Sequence, residues 1–189
     1  GRGEMLGLVG ESGCGKSTLA LALMRLLPGA GRIVADHVRL DGEDLLGLSE
    51  QQMAAVRWRR IATVFQGAMN ALNPVRTVGD QIAEAIRQHN TLPREQIGRR
   101  VDELLDLVGI APNRRTDYPF QYSGGMRQRA MIAMALACAP DVVIADEPTT
   151  ALDVMIQAQI LELLANLQRQ LGLAIILVTH DLGIVAETC

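Results

Sequence analysis

The stretch at residues 10–18 restricts what this chain can fold into more than any other part of the sequence. It fits the pattern G-x-x-x-x-G-K-[ST], with an apolar run before it at 5–9 and a helix-forming run after it at 19–27. Glycines let backbone N–H groups close around phosphate oxygens, and the start of the following helix adds the positive end of its dipole. The stretch therefore predicts a strand–loop–helix unit that binds a nucleoside triphosphate. A glycine-rich turn that only caps a helix is the alternative.

Individual side chains of this loop have expected parts in nucleotide binding. Lys16 would reach the β- and γ-phosphates, and the Ser17 hydroxyl would be a Mg²⁺ ligand. The loop residues expected to bind the nucleotide are Gly10, Glu11, Ser12, Gly13, Cys14, Gly15, Lys16, Ser17 and Thr18.

Four short apolar runs have the length and composition of buried strands. They lie at residues 5–9, 61–65, 142–145 and 173–179. Each run ends in polar residues, namely the phosphate loop, Gln66, the pair Asp146 and Glu147, and His180. In open α/β sheets, ligands bind beyond the carboxyl ends of the strands. We therefore predict a mostly parallel sheet, covered on both faces, with these residues gathered at one edge.

The two carboxylates after the third run have separate expected roles. Asp146 would hold Mg²⁺ directly or through water, and Glu147 would orient and deprotonate an attacking water. Taken alone, the pair is equally consistent with an acidic turn at a strand end. Together with the phosphate loop, it favours hydrolysis of the bound nucleotide.

The segment between the first two runs has weaker signals. Residues 32–40 predict an exposed antiparallel strand that turns at Asp41 and Gly42, and residues 45–60 predict a helix capped by Ser49. The arginine-rich cluster at 57–60 could touch phosphates. A solvated helix end is the alternative that we favour for it.

Residues 67–139 predict a mostly helical insertion between the second and third strands. Helical apolar spacing occurs at 78–89 and 94–108, and a further helix is expected at 126–138. An amphipathic helix at 154–171, ended by Gly172, would connect the last two strands as a right-handed crossover.

A serine and two glycines open the helix at 126–138. Ser123 is a good N-cap, and Gly124 and Gly125 leave backbone N–H groups open to an anion. An ordinary capped helix explains the same residues, and without further context it is the simpler interpretation.

The full set of motifs resembles the ATP-binding-cassette (ABC) ATPases over nearly the whole chain. The set comprises residues 10–18, Gln66, residues 123–128, residues 142–147, residues 151–153 and His180. The resemblance implies an α/β fold with a P-loop NTPase core, a partial antiparallel β region and an inserted helical subdomain. The core would comprise residues 1–66 and 140–189, and the subdomain residues 67–139.

The resemblance also implies site roles in a head-to-tail dimer that binds ATP and Mg²⁺. Ser123, Gly124 and Gly125 would contact the nucleotide of the other subunit. Gln66 would sense Mg²⁺ and the attacking water, and His180 would hold the transition state beside Glu147. Asp153 would lie at the subunit interface, or would simply cap the next helix. Tyr122 departs from the leucine that is usual at its position in the family.

Residues 72–74 and 146–160 resemble one branch, the oligopeptide, dipeptide and nickel importer ATPases of prokaryotes. This implies integral-membrane permease subunits as partners, a second ATPase subunit, and a solute-binding receptor reached indirectly. The chain would lie at the cytoplasmic face of the cell membrane. The sequence starts without methionine and stops after an apolar stretch, so we expect it to be a fragment.

The amino-acid composition argues against several other functions. Aromatic residues make up 3% of the 189 residues and the net charge is −3, which argues against a chain-wide grip on nucleic acid. The three cysteines have neither metal-ligand spacing nor a disulfide pattern. Two alternatives stay open, a soluble ABC-type ATPase of DNA repair or chromosome maintenance, and a regulatory module without turnover.

Overall fold

Six strands form two sheets in the computed structural model, which describes residues 1–29, 31–65, 71–89 and 92–188. The strands are β1 (Met5–Val9), β2 (Arg39–Leu40), β3 (Glu43–Asp44), β4 (Ile61–Val64), β5 (Val142–Asp146) and β6 (Ala174–Thr179). The main sheet has the order β1-β6-β5-β4, and all of its pairs are parallel. β2 and β3 form a small antiparallel hairpin.

The register of the main sheet brings the carboxyl ends of its strands together. Val9 lies opposite Thr179, Asp146 opposite Val178, and Val64 opposite Ala145. The predicted parallel sheet is therefore confirmed. β1 matches its apolar run, and the other three strands differ from theirs by one residue at one end. The exposed strand predicted at 32–40 is confirmed only for its last two residues.

Seven α-helices occur among the described residues. They are α1 (Lys16–Leu23), α2 (Glu50–Val56), α3 (Val78–His89), α4 (Arg94–Leu107), α5 (Gly124–Ala135), α6 (Val154–Leu171) and α7 (Leu182–Thr188). α6 ends at Gly172 in the left-handed region, as predicted. α1 ends earlier than the run at 19–27, because Arg25 adopts a left-handed conformation and Leu26 N–H turns back to the Leu21 carbonyl.

The helix predicted at 45–60 is wrong in its extent. A 3-10 turn at Leu45–Gly47 comes first, and α2 then starts at Glu50. Ser49 precedes it, and its side chain forms the expected cap as part of a capping box with Gln52. The chain leaves the helix at Arg57 and enters a turn in which Trp58 has a φ of 67°.

The arginines of this turn are bound within the protein. Arg57 donates to the carbonyls of Met24 and Arg25, at 2.8 Å and 3.2 Å, and also pairs with Glu50. Arg60 pairs with Asp141 at 2.9 Å and with two further carboxylates of the hairpin. The interpretation of these two residues as a solvated helix end is therefore wrong, and their bonds fix the turn to the sheet.

Buried apolar side chains form two clusters, one on each face of the main sheet. One buried cluster joins α3, α4, α5 and α6 to one face of the sheet, and a second joins α1 and α2 to the other. The sequence predicts that both faces of the sheet are covered, but Leu6 in β1 is 63% exposed. No helix among the described residues has the length and apolar character needed to cross a membrane.

Candidate nucleotide-binding site

The loop between β1 and α1 has the conformation that its glycines predict. Gly13 and Gly15 have φ values of 83° and 100°, which side chains with a Cβ rarely adopt. Lys16 is buried, and its Nζ donates to the carbonyls of Gly10 and Glu11 at 2.7 Å and 2.8 Å. The loop therefore wraps around the lysine ammonium and holds the charge at its centre.

A cavity of about 180 Å³ lies at this loop. It is lined by Ser12, Gly13, Gly15, Lys16, Ser17, Thr18 and Glu147. Gly15 provides no side chain to cap α1, and Gly15 and Lys16 at the helix start both line the cavity. The loop and the acidic end of β5 thus share one small polar space, as the order of the motifs predicts.

Two further loop residues lie beside the lysine. Cys14 is exposed, and its Sγ lies 4.0 Å from Lys16 Nζ. At Gly10 a Cβ would come within 2.6 Å of that sulfur, so a larger residue there would require the Cys14 side chain to move.

Asp146 ends β5 with a buried carboxylate. The residue is 5% exposed, and among the described residues its Oδ1 has no hydrogen-bond partner. Burial raises the pKa of Asp146 and the nearby charge of Glu147 raises it further, while hydrogen bonding by Ser17 and the charge of Lys16 act in the opposite direction. An unpartnered buried carboxylate oxygen of this kind is well suited to a cation.

Glu147 follows in a strained conformation that aims its carboxylate at two neighbours. Its φ is 46°, and its backbone N–H donates to the Val178 carbonyl at 2.9 Å. His180 Nδ1 lies 3.3 Å from Oε1, and the Thr150 hydroxyl donates to Oε2 at 2.9 Å. The structure therefore brings Glu147 and His180 together, as the sequence predicts. Sequence reasoning missed the contact of Thr150, although this residue lies only three positions after Glu147.

The serine and glycines at the start of α5 occupy another part of the surface. Ser123 is exposed, and its Oγ accepts from the Met126 N–H at 3.3 Å. Ser123, Gly124 and Gly125 are not among the described residues that line the cavity at the phosphate loop. Gly125 is buried and Ile156 of α6 packs against it, so that a Cβ at this position would lie 2.7 Å from Ile156 Cγ2.

This packing predicts a specific pair of variants. Gly125→Ala should destabilise the protein by about 1–3 kcal/mol through overpacking against the β-branched methyl of Ile156. Ile156→Leu removes that methyl while keeping the volume, so the double variant should regain part of the lost stability. Denaturant unfolding of the four proteins measures this. Equal stability of Gly125→Ala and its double variant would contradict the contact.

Three further residues are predicted at or near the site, namely Asp153, Gln66 and Tyr122. Asp153 caps α6, since its carboxylate accepts from the Ile156 N–H at 3.0 Å, and its expected place at a subunit interface stays a prediction. Gln66 lies outside the described residues. Tyr122 is buried, and its hydroxyl donates to the Arg114 carbonyl at 3.1 Å, while burial raises the pKa of that hydroxyl to about 12.

A parallel sheet that carries a phosphate loop at the end of its first strand defines the class of P-loop nucleotide-binding proteins. The comparison with known families is more specific. The ABC transporter profile matches residues 1–150, and the chain belongs to this family.

Curated relatives agree with this membership. The chain is 58% identical over 190 residues to a probable peptide ABC transporter ATP-binding protein of Sinorhizobium fredii, and 50% identical over 189 residues to a dipeptide transport ATP-binding protein of Bacillus subtilis. The matches cover 99% and 98% of this chain but 57% and 56% of the relatives. A glutathione import ATP-binding protein of Escherichia coli is 54% identical over 195 residues, covering 98% of this chain and 31% of that protein. The chain therefore spans about half or less of these relatives.

Solved structures show the same fold. An ATP-binding cassette, described as a dimer in a post-hydrolysis state with ADP and Pi, aligns with a TM-score of 0.81 at 30% identity, covering 97% of this chain and 78% of that one. CbiO1 of Clostridium perfringens, described as part of an ABC transporter complex, aligns with a TM-score of 0.84 at 31% identity, covering 100% of this chain and 71% of that one. The predicted fold class is confirmed. None of these relatives and structures supports the alternative of DNA repair or chromosome maintenance.

Proposed function

We propose that this chain is the ATP-binding and ATP-hydrolysing part of a subunit that powers an ABC importer, with peptides or related solutes as cargo. The observation that carries the proposal is the shared cavity, in which the phosphate loop and Glu147 face each other. The names of the relatives support ATP as the nucleotide and peptide-type solutes as the cargo.

ATP would bind with its phosphates inside the loop. Lys16 Nζ already lies between two loop carbonyls, so its positive charge is placed for the β- and γ-phosphates without a rearrangement of the helix. The backbone N–H groups at the start of α1 would donate to the same oxygens.

Mg²⁺ fits the oxygen atoms beside the loop. Ser17 and Asp146 lie close enough to interact, and the unpartnered Oδ1 of Asp146 offers a hard anionic ligand. Among the described residues no group of three or more His, Cys, Asp or Glu side chains could hold a metal ion. In the proposed site, Mg²⁺ would be held by Asp146, Ser17, Gln66 and the phosphates of the nucleotide. When bound, Mg²⁺ would neutralise charge on the transferred phosphoryl group.

The buried charge of Asp146 gives a test that needs no turnover. Because its pKa is raised, the ionised carboxylate destabilises the metal-free protein at neutral pH, and this penalty disappears as the pH falls through the raised pKa. Asp146→Asn should therefore raise the melting temperature of the metal-free protein at pH 7 more than at pH 4. It should also abolish the extra stabilisation that Mg²⁺ gives to the ATP complex. Thermal unfolding measures both effects, and an unchanged Mg²⁺ effect would contradict the ligand assignment.

Hydrolysis would use Glu147 as the general base. Its carboxylate is held from two sides by Thr150 and His180, which fixes its direction toward the cavity. A water in that cavity would lose a proton to Glu147 and bond to the γ-phosphorus, while the bond from this phosphorus to the bridging oxygen breaks and ADP leaves. His180 would stabilise the developing charge. Gln66 is proposed to sense Mg²⁺ and this water.

A second ATPase subunit would complete the site. Ser123 is exposed at the start of α5 and lies outside the cavity that the phosphate loop forms, which supports a contact with the nucleotide of a neighbouring copy. The family also supports permease subunits as membrane partners, a receptor reached through them, and a place at the cytoplasmic face. Residues 67–139 are proposed to act as a helical subdomain on a core formed by 1–66 and 140–189.

The test is reconstitution of the full-length protein with its permease subunits in vesicles. Peptide-loaded receptor should raise phosphate release and drive peptide uptake. Stimulation by DNA without any effect of the membrane subunits would instead favour the DNA-repair alternative. Nucleotide binding without phosphate release would favour a regulatory module.

A further inference from the structure

The turn after α2 carries a tryptophan that is fixed rigidly to the sheet. Trp58 is the single tryptophan of the 189 residues, and its backbone N–H donates to the Ile61 carbonyl at 2.8 Å. Arg57 and Arg60 flank it and bind carbonyls near the end of α1 and carboxylates around β5 and the hairpin. These bonds fix the backbone of the turn, and with it the Cα of Trp58, to the sheet.

The indole stacks on the last residue of α3. The ring centroids of Trp58 and His89 lie 6.4 Å apart with an interplanar angle of 26°, within the range of favourable offset stacking. Burial, and then the charge of Arg59, lowers the pKa of His89 from 6.5, so the imidazole is neutral at pH 7. Trp58 also packs against the cluster that contains Ile86 of α3. The ring thus joins the turn before β4 to the end of a helix in the insertion.

The backbone conformation of Trp58 is costly for such a residue. A left-handed conformation costs a residue with a Cβ about 1–2 kcal/mol, whereas glycine adopts it freely. Strain of this kind persists where the surrounding structure determines it, and it often accompanies a functional constraint. The ring contact with His89 is the feature that glycine could not supply here.

Trp58 and His89 lie on either side, in sequence, of a segment that includes a residue of the proposed ATPase site. Trp58 lies three residues before β4, and His89 ends α3, so the chain between them runs from the sheet into the insertion and includes Gln66. We propose that the Trp58–His89 stack is a joint that sets the orientation of α3 on the sheet, which makes Trp58 a positioning residue for turnover. The inference rests on the proposed function for its second readout only.

The first experiment observes the joint directly. The full-length protein is labelled with 5-fluorotryptophan, and the ¹⁹F resonance of Trp58 is assigned as the one missing from Trp58→Phe. His89→Ala should shift this resonance, because the imidazole no longer lies over the indole. A resonance that does not shift in His89→Ala would overturn the proposal.

The second experiment separates positioning from stability. Trp58→Gly removes the ring and its packing against the buried cluster, and the relief of left-handed strain offsets only part of that loss. Phosphate release is therefore compared at a temperature well below the melting temperature of every variant. Phosphate release by Trp58→Gly should still fall by roughly threefold to tenfold, the size of one aromatic stacking contact, with ATP affinity unchanged. His89→Ala should give a similar loss, and the double variant should lose no more than either single one. Trp58→Phe should retain most of the turnover.

Ala139→Gly is the matched control, since Ala139 is exposed and also left-handed, with a φ of 51°, but carries no ring. It should leave phosphate release unchanged. The proposal would be overturned if Trp58→Gly released phosphate at the normal rate. It would also be overturned if the losses of rate in the two single variants added up in the double variant. If the unsubstituted protein released no phosphate, the proposed function would fail, while the ¹⁹F shifts would still decide whether the joint exists.

Discussion

Glu147→Gln is expected to lower the rate of ATP hydrolysis by about 10²–10⁴-fold while leaving ATP binding intact. The amide keeps the shape of the side chain and can still contact Thr150 and His180, but it cannot take a proton from water. Because hydrolysis would then stop before product release, ATP should hold two copies together in the closed dimer that we propose. Phosphate release, nucleotide affinity and the molecular mass in the presence of ATP measure the three parts of this prediction.

Glu162→Gln provides a matched control on α6. It makes the same chemical change at an exposed carboxylate outside the cavity at the phosphate loop, so its turnover should equal that of the unsubstituted protein. Near-normal phosphate release by Glu147→Gln would show that another group is the general base. The strained backbone of Glu147 would then have no explanation in catalysis.

The main sheet could be predicted because its signals are local. Short apolar runs that end in polar residues already indicate parallel strands, and their common edge follows from the topology of open α/β sheets. The turn at Trp58 could not be predicted in this way. The apolar pattern of α2 continues into it, no glycine or proline marks its start, and the bond that fixes Arg60 reaches Asp141, 81 residues away.

In the candidate site, too, some features follow from local sequence and others depend on contacts between distant parts of the chain. The spacing within the phosphate loop is fixed by the phosphates that it would bind, so each of its residues can be assigned from sequence. The buried state of Gly125 depends instead on Ile156 of another helix, and the pKa of Asp146 depends on burial that three-dimensional packing creates. Such contacts join elements that are distant in sequence, and no periodic pattern records them.

Lys16→Ala is expected to weaken ATP binding by roughly 10- to 100-fold, since hydrogen bonds to a charged group contribute about 1.5–3 kcal/mol. The buried ammonium of Lys16 is the cation that the loop itself encloses, and Gly10 and Glu11 already hold it at the cavity with two carbonyl bonds. The loss should be large for ATP and ADP and small for AMP, which lacks the β- and γ-phosphates. Calorimetric titration with the three nucleotides measures this dependence.

The choice of nucleotide also separates binding from folding. A variant that merely disordered the loop would lose affinity for all three nucleotides in parallel, whereas a missing phosphate contact affects only those that carry a β-phosphate. Lys16→Arg keeps the charge but places a planar, branched group where two carbonyls surround a compact ammonium. It should therefore bind ATP more weakly than the unsubstituted protein. Equal ATP affinity for Lys16→Ala and the unsubstituted protein would remove the lysine from the phosphate site.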